Sequence, residues 1–160
     1  GCRRIAHIKG PEHISTTFNR YLGYREALKK HGLPIEEALI FSAEDDKGTR
    51  ILDTDRLRQA LPDMDGIFAF NDYIAYELVR MIREEGRRIP EDIALAGYGN
   101  DPFGRYLHPA LTTVDQNPWE MGQQSARMLL DQVFSTHAAF EHKAQLLETR
   151  LILRGSTRSE

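Results

Sequence analysis

The sequence contains a single cysteine, no long apolar run and no excess of basic residues. Cys2 alone cannot form an internal disulfide, which is compatible with a reducing cytoplasm. No apolar run is long enough to span a bilayer, and residues 1–10 lack the pattern of a signal peptide, so we expect no membrane partner. The formal net charge is −3 with both signs mixed, so these residues alone are expected to bind DNA poorly.

The chain also lacks the common signatures of metal sites and enzymes. Its six histidines do not have metal-site spacing, so we predict no metal ion. Gly97-Tyr98-Gly99 follows a predicted strand, as a dinucleotide fingerprint would, but Pro102 occupies the position of the third glycine. Neither a Gly-x-Ser-x-Gly elbow nor a phosphate-binding loop is present. We therefore expect no catalytic residue and no cofactor.

The chain has the composition of one α/β domain and the alternation of strand and helix segments that is typical of this class. With 160 residues, 41% apolar and 28% charged, it can form a single ordinary core. Short apolar runs alternate with amphipathic segments. We predict strands at 4–9, 38–42, 66–70, 93–98, 111–115 and 145–153, helices at 17–31, 53–61, 72–85 and 118–134, and a polar loop at 135–143. This alternation predicts a doubly wound, mostly parallel sheet with helices on both faces.

Polar segments follow the predicted strands where a ligand site is expected. In open parallel α/β sheets, ligands bind beyond the carboxyl ends of the strands. Hydroxyl-bearing ligands such as sugars need the donors and acceptors that these segments supply. The candidate side chains are His13, Ser15, Thr16, Arg20, Glu44, Asp45, Asn71, Asp72, Asn100 and Asp101.

Each of these segments also has a purely structural interpretation. Asn71 and Asp72 could simply cap the helix that follows them. A helix arginine such as Arg20 is by default a solvated surface charge, and the charge run at 45–47 is typical of a solvated turn. The pattern by itself leaves both interpretations open.

Five segments resemble, in order and spacing, motifs of the LacI/GalR family of bacterial transcription repressors. The first segment, GCRRIAHIKG at 1–10, resembles the family's Gly-His-x-x-Ile-Ala strand. The second, RYLGYR at 20–25, resembles the family's Arg-x-x-Gly-Tyr helix motif. Three further segments also resemble family motifs: AFND at 69–72 resembles Ala-x-Asn-Asp, RIPEDI at 88–93 resembles Arg-x-Pro-x-Asp-Val/Ile, and PALTTV at 109–114 resembles Pro-x-Leu-Thr-Thr-Val/Ile.

The resemblance implies a fold like that of periplasmic sugar-binding proteins. Two α/β subdomains would enclose a small-molecule effector, and an N-terminal helix-turn-helix would bind operator DNA. By that pattern, residues 1–114 form the C-terminal subdomain, 115–145 cross to the N-terminal subdomain, and 146–160 return as a strand and tail. The DNA-binding part and most of the first subdomain would then lie outside these residues.

The resemblance also implies roles for three site residues. Arg20 matches the family arginine that contacts hydroxyl or carboxyl groups of the effector, and Asn71 matches an effector-contacting asparagine. Thr16 lies in a loop that contacts the ligand in some members.

Two departures from the family pattern modify this assignment. Gly99 stands where the family usually has a ligand-gripping aspartate, so effector contact is expected to shift to Asn100 or Asp101. The aromatic residue that often stacks on the ligand after the second strand is replaced near Glu44. That replacement favours a sugar or polyol over a purine.

The last predicted helix raises a packing question. Its residues Ala126, Leu129, Leu130 and Val133 share a face that periodicity predicts to point inward. The family pattern takes this helix away from the rest of the chain and leaves that face without a partner. We therefore expect it to pack on a second copy, giving a homodimer, or to fold back onto the sheet.

Together these observations predict the sugar-sensing part of a cytoplasmic transcription repressor that is not an enzyme. A periplasmic sugar-binding protein of a transport system is the main alternative, because it shares the architecture. An enzyme on a Rossmann-like sheet is a second alternative, which Pro102 disfavours.

Overall fold

The computed structural model describes residues 1–44, 47, 49, 51–134 and 144–158. Its strands are β1 (Ile5–Lys9), β2 (Ile40–Ser42), β3 (Gly66–Ala69), β4 (Ala94–Ala96), β5 (Thr113–Asp115) and β6 (Arg150–Ile152). Its α-helices are α1 (Ser15–Lys30), α2 (Thr54–Ala60), α3 (Asp72–Glu84) and α4 (Pro118–Val133). Three short 3₁₀ helices lie at Glu37–Leu39, Leu61–Asp63 and Pro102–Arg105. The predicted loop at 135–143 lies outside the described residues, as do Asp45 and Asp46.

Four of the strands form a parallel sheet in the order β2-β1-β3-β4. β5 and β6 pair antiparallel in a separate two-stranded sheet, joined to β4 by one parallel bridge between Ala96 and Thr112. The chain steps from β1 outward to β2 and then back past β1 to β3 and β4. Right-handed crossovers therefore place α1 on one face and α2 and α3 on the other, which confirms the predicted doubly wound α/β fold.

The two faces of the sheet have different cores. On the face covered by α2 and α3, an extensive apolar cluster includes Ile8, Leu57, Ile67, Leu78 and Leu95. On the α1 face the cluster is small: Tyr24, Leu28 and Ile40 are buried, with Ile5 and Phe68 packed against them. Alternate residues of β1 serve the two faces, as the period of a strand requires.

A buried histidine lies among aromatic rings on the α1 face. His7 in β1 is fully buried and stacks on Tyr24 and Phe68 with ring centroids 5.0 Å away in each case. Its Nδ1 donates to the Phe68 carbonyl over 2.9 Å, whereas its buried Nε2 has no hydrogen-bond partner in the described structure. Burial lowers the pKa of His7 from 6.5 to about 4, so the ring is neutral in the folded protein at neutral pH.

The end of α1 and the start of α2 follow the signals in the sequence. α1 stops where Gly32 adopts a φ of +66°, and Leu33 N–H returns to the Leu28 carbonyl. Asp53 caps α2 through the Arg56 amide. The predicted last strand at 145–153 shortens to β6 because β5, its hydrogen-bonded partner, has only three residues.

One of the two expected packings of the last helix is wrong for this chain. None of the residues of α4 is buried, and Leu129 and Leu130 are 60% and 53% exposed. Ala126 and Val133 are exposed as well. The predicted face is apolar, but no element of the described chain covers it. Folding back onto the sheet, one of the two expected outcomes, does not occur.

Candidate functional site

A cleft of about 670 Å³ opens between α1 and the strands β1, β3 and β4. Thr16 and Arg20 line it, together with Asn19 of the same helix. The other lining residues are Ile5, Gly23, Tyr24, Ala27, Leu28, His31, Leu33, Phe68, Ala96, Tyr98 and Gln116. The cleft therefore combines an apolar wall with polar groups at the carboxyl ends of the strands, a combination typical of small-molecule sites.

Arg20 is held between the ends of two strands and the segment after β5. Its Nη1 donates to the Phe70 carbonyl over 2.7 Å, and its Nη2 lies 3.4 Å from Gln116 Oε1. The guanidinium carbon stands 3.8 Å from the centre of the Tyr98 ring, a cation–π distance. This fixed arginine is not the solvated surface charge that its place in a helix suggests by default.

The electrostatic environment of Arg20 is that of a partly buried cation. Burial lowers the pKa of Arg20 from its ordinary value, while attraction to Tyr98 and Asp72 opposes that shift. A guanidinium nevertheless remains charged at any physiological pH. The cleft therefore contains a permanent positive charge.

Asn71 begins α3 beside the cleft without lining it. Its Oδ1 accepts from the Ile74 amide at 2.8 Å, so it caps the helix as the sequence allowed. The preceding residue, Phe70, supplies the carbonyl that binds Arg20. The cap uses the side-chain oxygen and fixes Asn71 at the same sheet edge as Arg20.

Asp72 has a role that was not predicted from sequence. Its carboxyl group is 2% exposed and accepts from the Thr113 hydroxyl at 2.7 Å and the Asp101 amide at 2.8 Å. Its own amide donates to the Tyr98 carbonyl. Asp72 thus ties the segment after β4 to the start of α3 and to β5, whereas the capping of α3 is done by Asn71.

Two glycines allow this close approach. A Cβ at Gly97 would lie only 2.2 Å from Asp72 Oδ1. Gly99 has a φ of +131°, which side-chain-bearing residues rarely adopt. The glycines are therefore explained by backbone conformation, consistent with the failed dinucleotide fingerprint.

Asn100 and Asp101 are bound to other parts of the protein and do not line the cleft. Asn100 Nδ2 donates to Asp115 over 3.2 Å, and its Oδ1 accepts from Arg154 at 2.7 Å. Asp101 accepts from the Tyr76 hydroxyl and the Phe103 amide, at 2.8 and 2.9 Å. The Phe103 amide, with further help from Tyr76, holds the pKa of Asp101 below its ordinary value. The structure thus brings Thr16 and Arg20 together at the cleft and leaves these two residues in the adjoining loop.

Asn19, Tyr98 and Gln116 line the cleft but were not selected from the sequence. Tyr98 lies two residues after β4 and Gln116 directly follows β5, so both stand just beyond the ends of strands. Their position just beyond the ends of strands is the sequence feature from which both residues could have been selected as candidates. In the described part of the chain, no group of three or more His, Cys, Asp or Glu side chains could hold a metal ion. No helix among the described residues is long and apolar enough to cross a membrane.

Comparison with known proteins shows the family of this fold. Residues 1–157 match the periplasmic binding protein-like domain. The transcriptional regulator CelR of Thermobifida fusca is 35% identical over 156 residues, which is 98% of this chain and 45% of that protein. The ribose operon repressor of Halalkalibacterium halodurans is 32% identical over 161 residues, covering 99% of this chain and 46% of the repressor.

A solved structure gives the same result in three dimensions. The complex of the transcriptional regulator CelR with cellobiose superimposes with a TM-score of 0.83 at 34% identity, over 98% of this chain and 47% of that one. The chain thus spans less than half the length of the regulators that it matches. These similarities confirm the predicted fold class and family resemblance. The chain therefore belongs to the periplasmic binding protein-like domain family, and over almost its whole length it is similar to part of transcriptional regulators such as CelR.

Proposed function

We propose that this chain is the sugar-sensing part of a transcription repressor that binds operator DNA through a helix-turn-helix outside these 160 residues. The observation that carries the proposal is the cleft at the strand ends, with Arg20 fixed at its edge, in a fold that superimposes on a regulator–cellobiose complex. Effector binding would favour one arrangement of the two subdomains and so change the affinity for DNA.

The effector contacts are proposed from the placement of the polar groups. Thr16 and Arg20 line the cleft and offer a hydroxyl and a guanidinium. The cap at Asn71 engages its Oδ1, and in the described structure its Nδ2 has no protein acceptor, so it can donate to a ligand hydroxyl. Asn100 and Asp101 would join the site by exchanging their present hydrogen bonds.

A carbohydrate is the effector class that this site favours. Sugar hydroxyls both donate and accept, which suits the mixture of amide, hydroxyl and guanidinium groups around the cleft. The name of the similar solved complex includes cellobiose, and one relative is named for a ribose operon. These relatives are regulators, which favours a repressor over a transport protein or an enzyme, and we propose that the chain has no catalytic activity.

The division of the chain follows the same proposal. Residues 1–114 would belong to the C-terminal subdomain, 115–145 to the segment that crosses to the N-terminal subdomain, and 146–160 to the returning strand and tail. The separate β5–β6 sheet and the uncovered α4 support this division. We further propose that the regulator acts in the cytoplasm as a homodimer.

The proposed site is tested by substitution in the full-length regulator. We expect Arg20→Ala and Asn71→Ala to abolish the effector response while leaving operator binding intact, because the proposed helix-turn-helix lies outside these 160 residues. Operator release would be followed by fluorescence anisotropy as effector is added. Arg25→Ala is the matched control, since Arg25 is an exposed arginine of the same helix. A normal response from both site variants would show that the site is misplaced.

A further inference from the structure

The half of the cleft that lies away from the carboxyl ends of the strands is an apolar groove along α1. Gly23, Ala27 and His31 line it on one side of α1, at intervals of four residues. Ile5 of β1 and Leu33, which follows α1, complete its walls. Gly23, Ala27 and His31 are exposed to solvent. We call this surface the α1 groove.

The second open apolar surface of the chain is one side of α4. Leu129, Leu130 and Val133 are exposed there, and they share the side of the helix on which Ala126 lies. Exposure of apolar side chains to water is unfavourable, and a contiguous exposed apolar face marks a surface that another element covers. The chain therefore has two uncovered apolar surfaces, a groove and a helix face.

The two surfaces have the same small residues at the same spacing. Gly23 and Ala27 lie one turn apart on α1, as Gly122 and Ala126 do on α4. A Cβ at either glycine would have no neighbour from another part of the described chain within 4 Å. Glycine within a helix weakens it relative to alanine, and neither glycine has a positive φ that would require it. Small residues at this spacing allow two helices to approach closely.

The lengths of the two surfaces also agree. On α1 the groove runs from Gly23 to His31, and on α4 the matching side runs from Gly122 to Leu130. Each stretch advances by the same number of residues, so each is about 12 Å long. The apolar side of one helix can therefore lie along the whole groove beside the other.

α4 does not reach the groove of its own chain. Gln116 lines the carboxyl end of the cleft, and α4 begins at Pro118, with Asn117 between them. None of the residues of α4 is buried, so the helix leaves its own sheet at that end. A second copy whose strand ends face these strand ends receives α4 at the matching end of its groove. Two copies related by a twofold axis can exchange α4 in this way.

The exposed area of the chain is large enough for such an interface. The chain exposes 10500 Å², whereas a compact protein of 18.3 kDa exposes about 8,100 Å². A stable interface buries about 800 Å² on each partner, which is less than half of the difference. A single copy therefore leaves uncovered more surface than one dimer contact requires.

We infer that a second copy of this chain covers both surfaces, each copy placing residues 122–130 of α4 in the α1 groove of the other. Arg20 and Tyr98 lie at the other end of the cleft and stay open to an effector, so this contact does not depend on sugar sensing. The division proposed above sends α4 across to another subdomain. In the 160-residue chain, the exchange gives the same helix an apolar surface on its copy.

Gly23→Gln tests the groove by sedimentation velocity of the 160-residue chain. Glutamine fits the single chain, because the space at Gly23 is open, and it favours helix more than glycine does. The urea midpoint of dilute protein should therefore stay the same or rise. Self-association should weaken about tenfold or more, because the longer side chain keeps the two helices apart. Arg25→Gln, on the opposite side of α1, is the matched control and should leave self-association unchanged.

Disulfide trapping identifies which surfaces meet. In a Cys2→Ser background, Ala27→Cys protein mixed with Ala126→Cys protein should form a cross-linked dimer under mild oxidation, because both positions lie in the middle of the inferred contact. Ala126→Cys protein alone should cross-link far less. The mixture of Arg25→Cys with Ala126→Cys protein is the control, and it should cross-link as little as Ala126→Cys protein alone.

Three results would overturn the inference. A chain that is monomeric at every concentration has no such contact. Self-association that Gly23→Gln leaves unchanged places the contact outside the α1 groove. Cross-linking of Ala126→Cys protein with itself, as efficient as in the mixture with Ala27→Cys protein, means that α4 packs on α4 of the second copy. None of these results bears on the sugar-sensing proposal, which substitutions at Arg20 and Asn71 test separately.

Discussion

Helices α3 and α4 have similar amphipathic patterns but opposite environments. α3 buries seven of its residues, including Ile74, Leu78 and Ile82, against the parallel sheet. α4 is longer and buries none, although Leu129 and Leu130 have helical spacing on one face. The difference comes from connectivity, because α3 joins two paired strands of the main sheet, whereas α4 lies between the strands of a separate pair. Periodicity identifies an apolar face, but topology decides what covers it.

The largest expected effect is the loss of stability when a leucine of α3 is replaced by alanine, compared with the same replacement in α4. Leu78→Ala should destabilise the chain by about 2–5 kcal/mol, because its side chain is fully buried and its loss leaves a cavity. Leu130→Ala should change the free energy of unfolding by less than about 0.5 kcal/mol, because the site is exposed and alanine favours helix. Urea denaturation of dilute protein measures both.

Equal losses for the two variants would contradict this comparison. That result would mean that α4 is packed in solution against the chain itself. The denaturant slope should stay the same in both variants, so that a changed midpoint reports stability alone.

The sequence predicted the helices and strands better than it predicted their partners. The carboxyl-end rule placed Thr16 and Arg20 at one edge because parallel strands end together. The bonds of Asp72 could not be foreseen, because Thr113 is 41 residues away in the chain and meets it only in the folded protein. For the same reason nothing local predicted that Asp101 would face Tyr76.

The next prediction concerns the pH dependence of stability, which depends on a difference between the two faces of the main sheet. The face under α2 and α3 is apolar, whereas the α1 face contains the neutral ring of His7. Its folded pKa of about 4 lies below the unfolded value of 6.5, so the unfolded state binds more protons between these values. Stability should therefore fall as the pH drops from about 6.5 to 4, by about 3 kcal/mol in total, and this contribution should then level off.

A His7→Phe variant isolates that contribution. Phenylalanine keeps an aromatic ring beside Tyr24 and Phe68 but cannot take up a proton. The carboxyl groups titrate in both proteins, so the difference between their pH profiles of unfolding free energy reports His7. Identical slopes between pH 6.5 and 4 would show that the ring is not held neutral in the folded state.

The last prediction concerns self-association through the exposed face of α4, where a substitution changes the stability of the single chain least. If the 160-residue chain dimerises through this face, Leu129→Ser should weaken self-association about tenfold or more, because a buried leucine contributes roughly 1.5–3 kcal/mol. Asp131→Ser, an exposed polar position on the same turn, is the control and should leave association unchanged. Sedimentation velocity over a range of concentrations measures both. A wild-type chain that stays monomeric at every concentration would show that a second copy does not cover α4. In that case α3 is packed and α4 is left uncovered by this chain and by its copies.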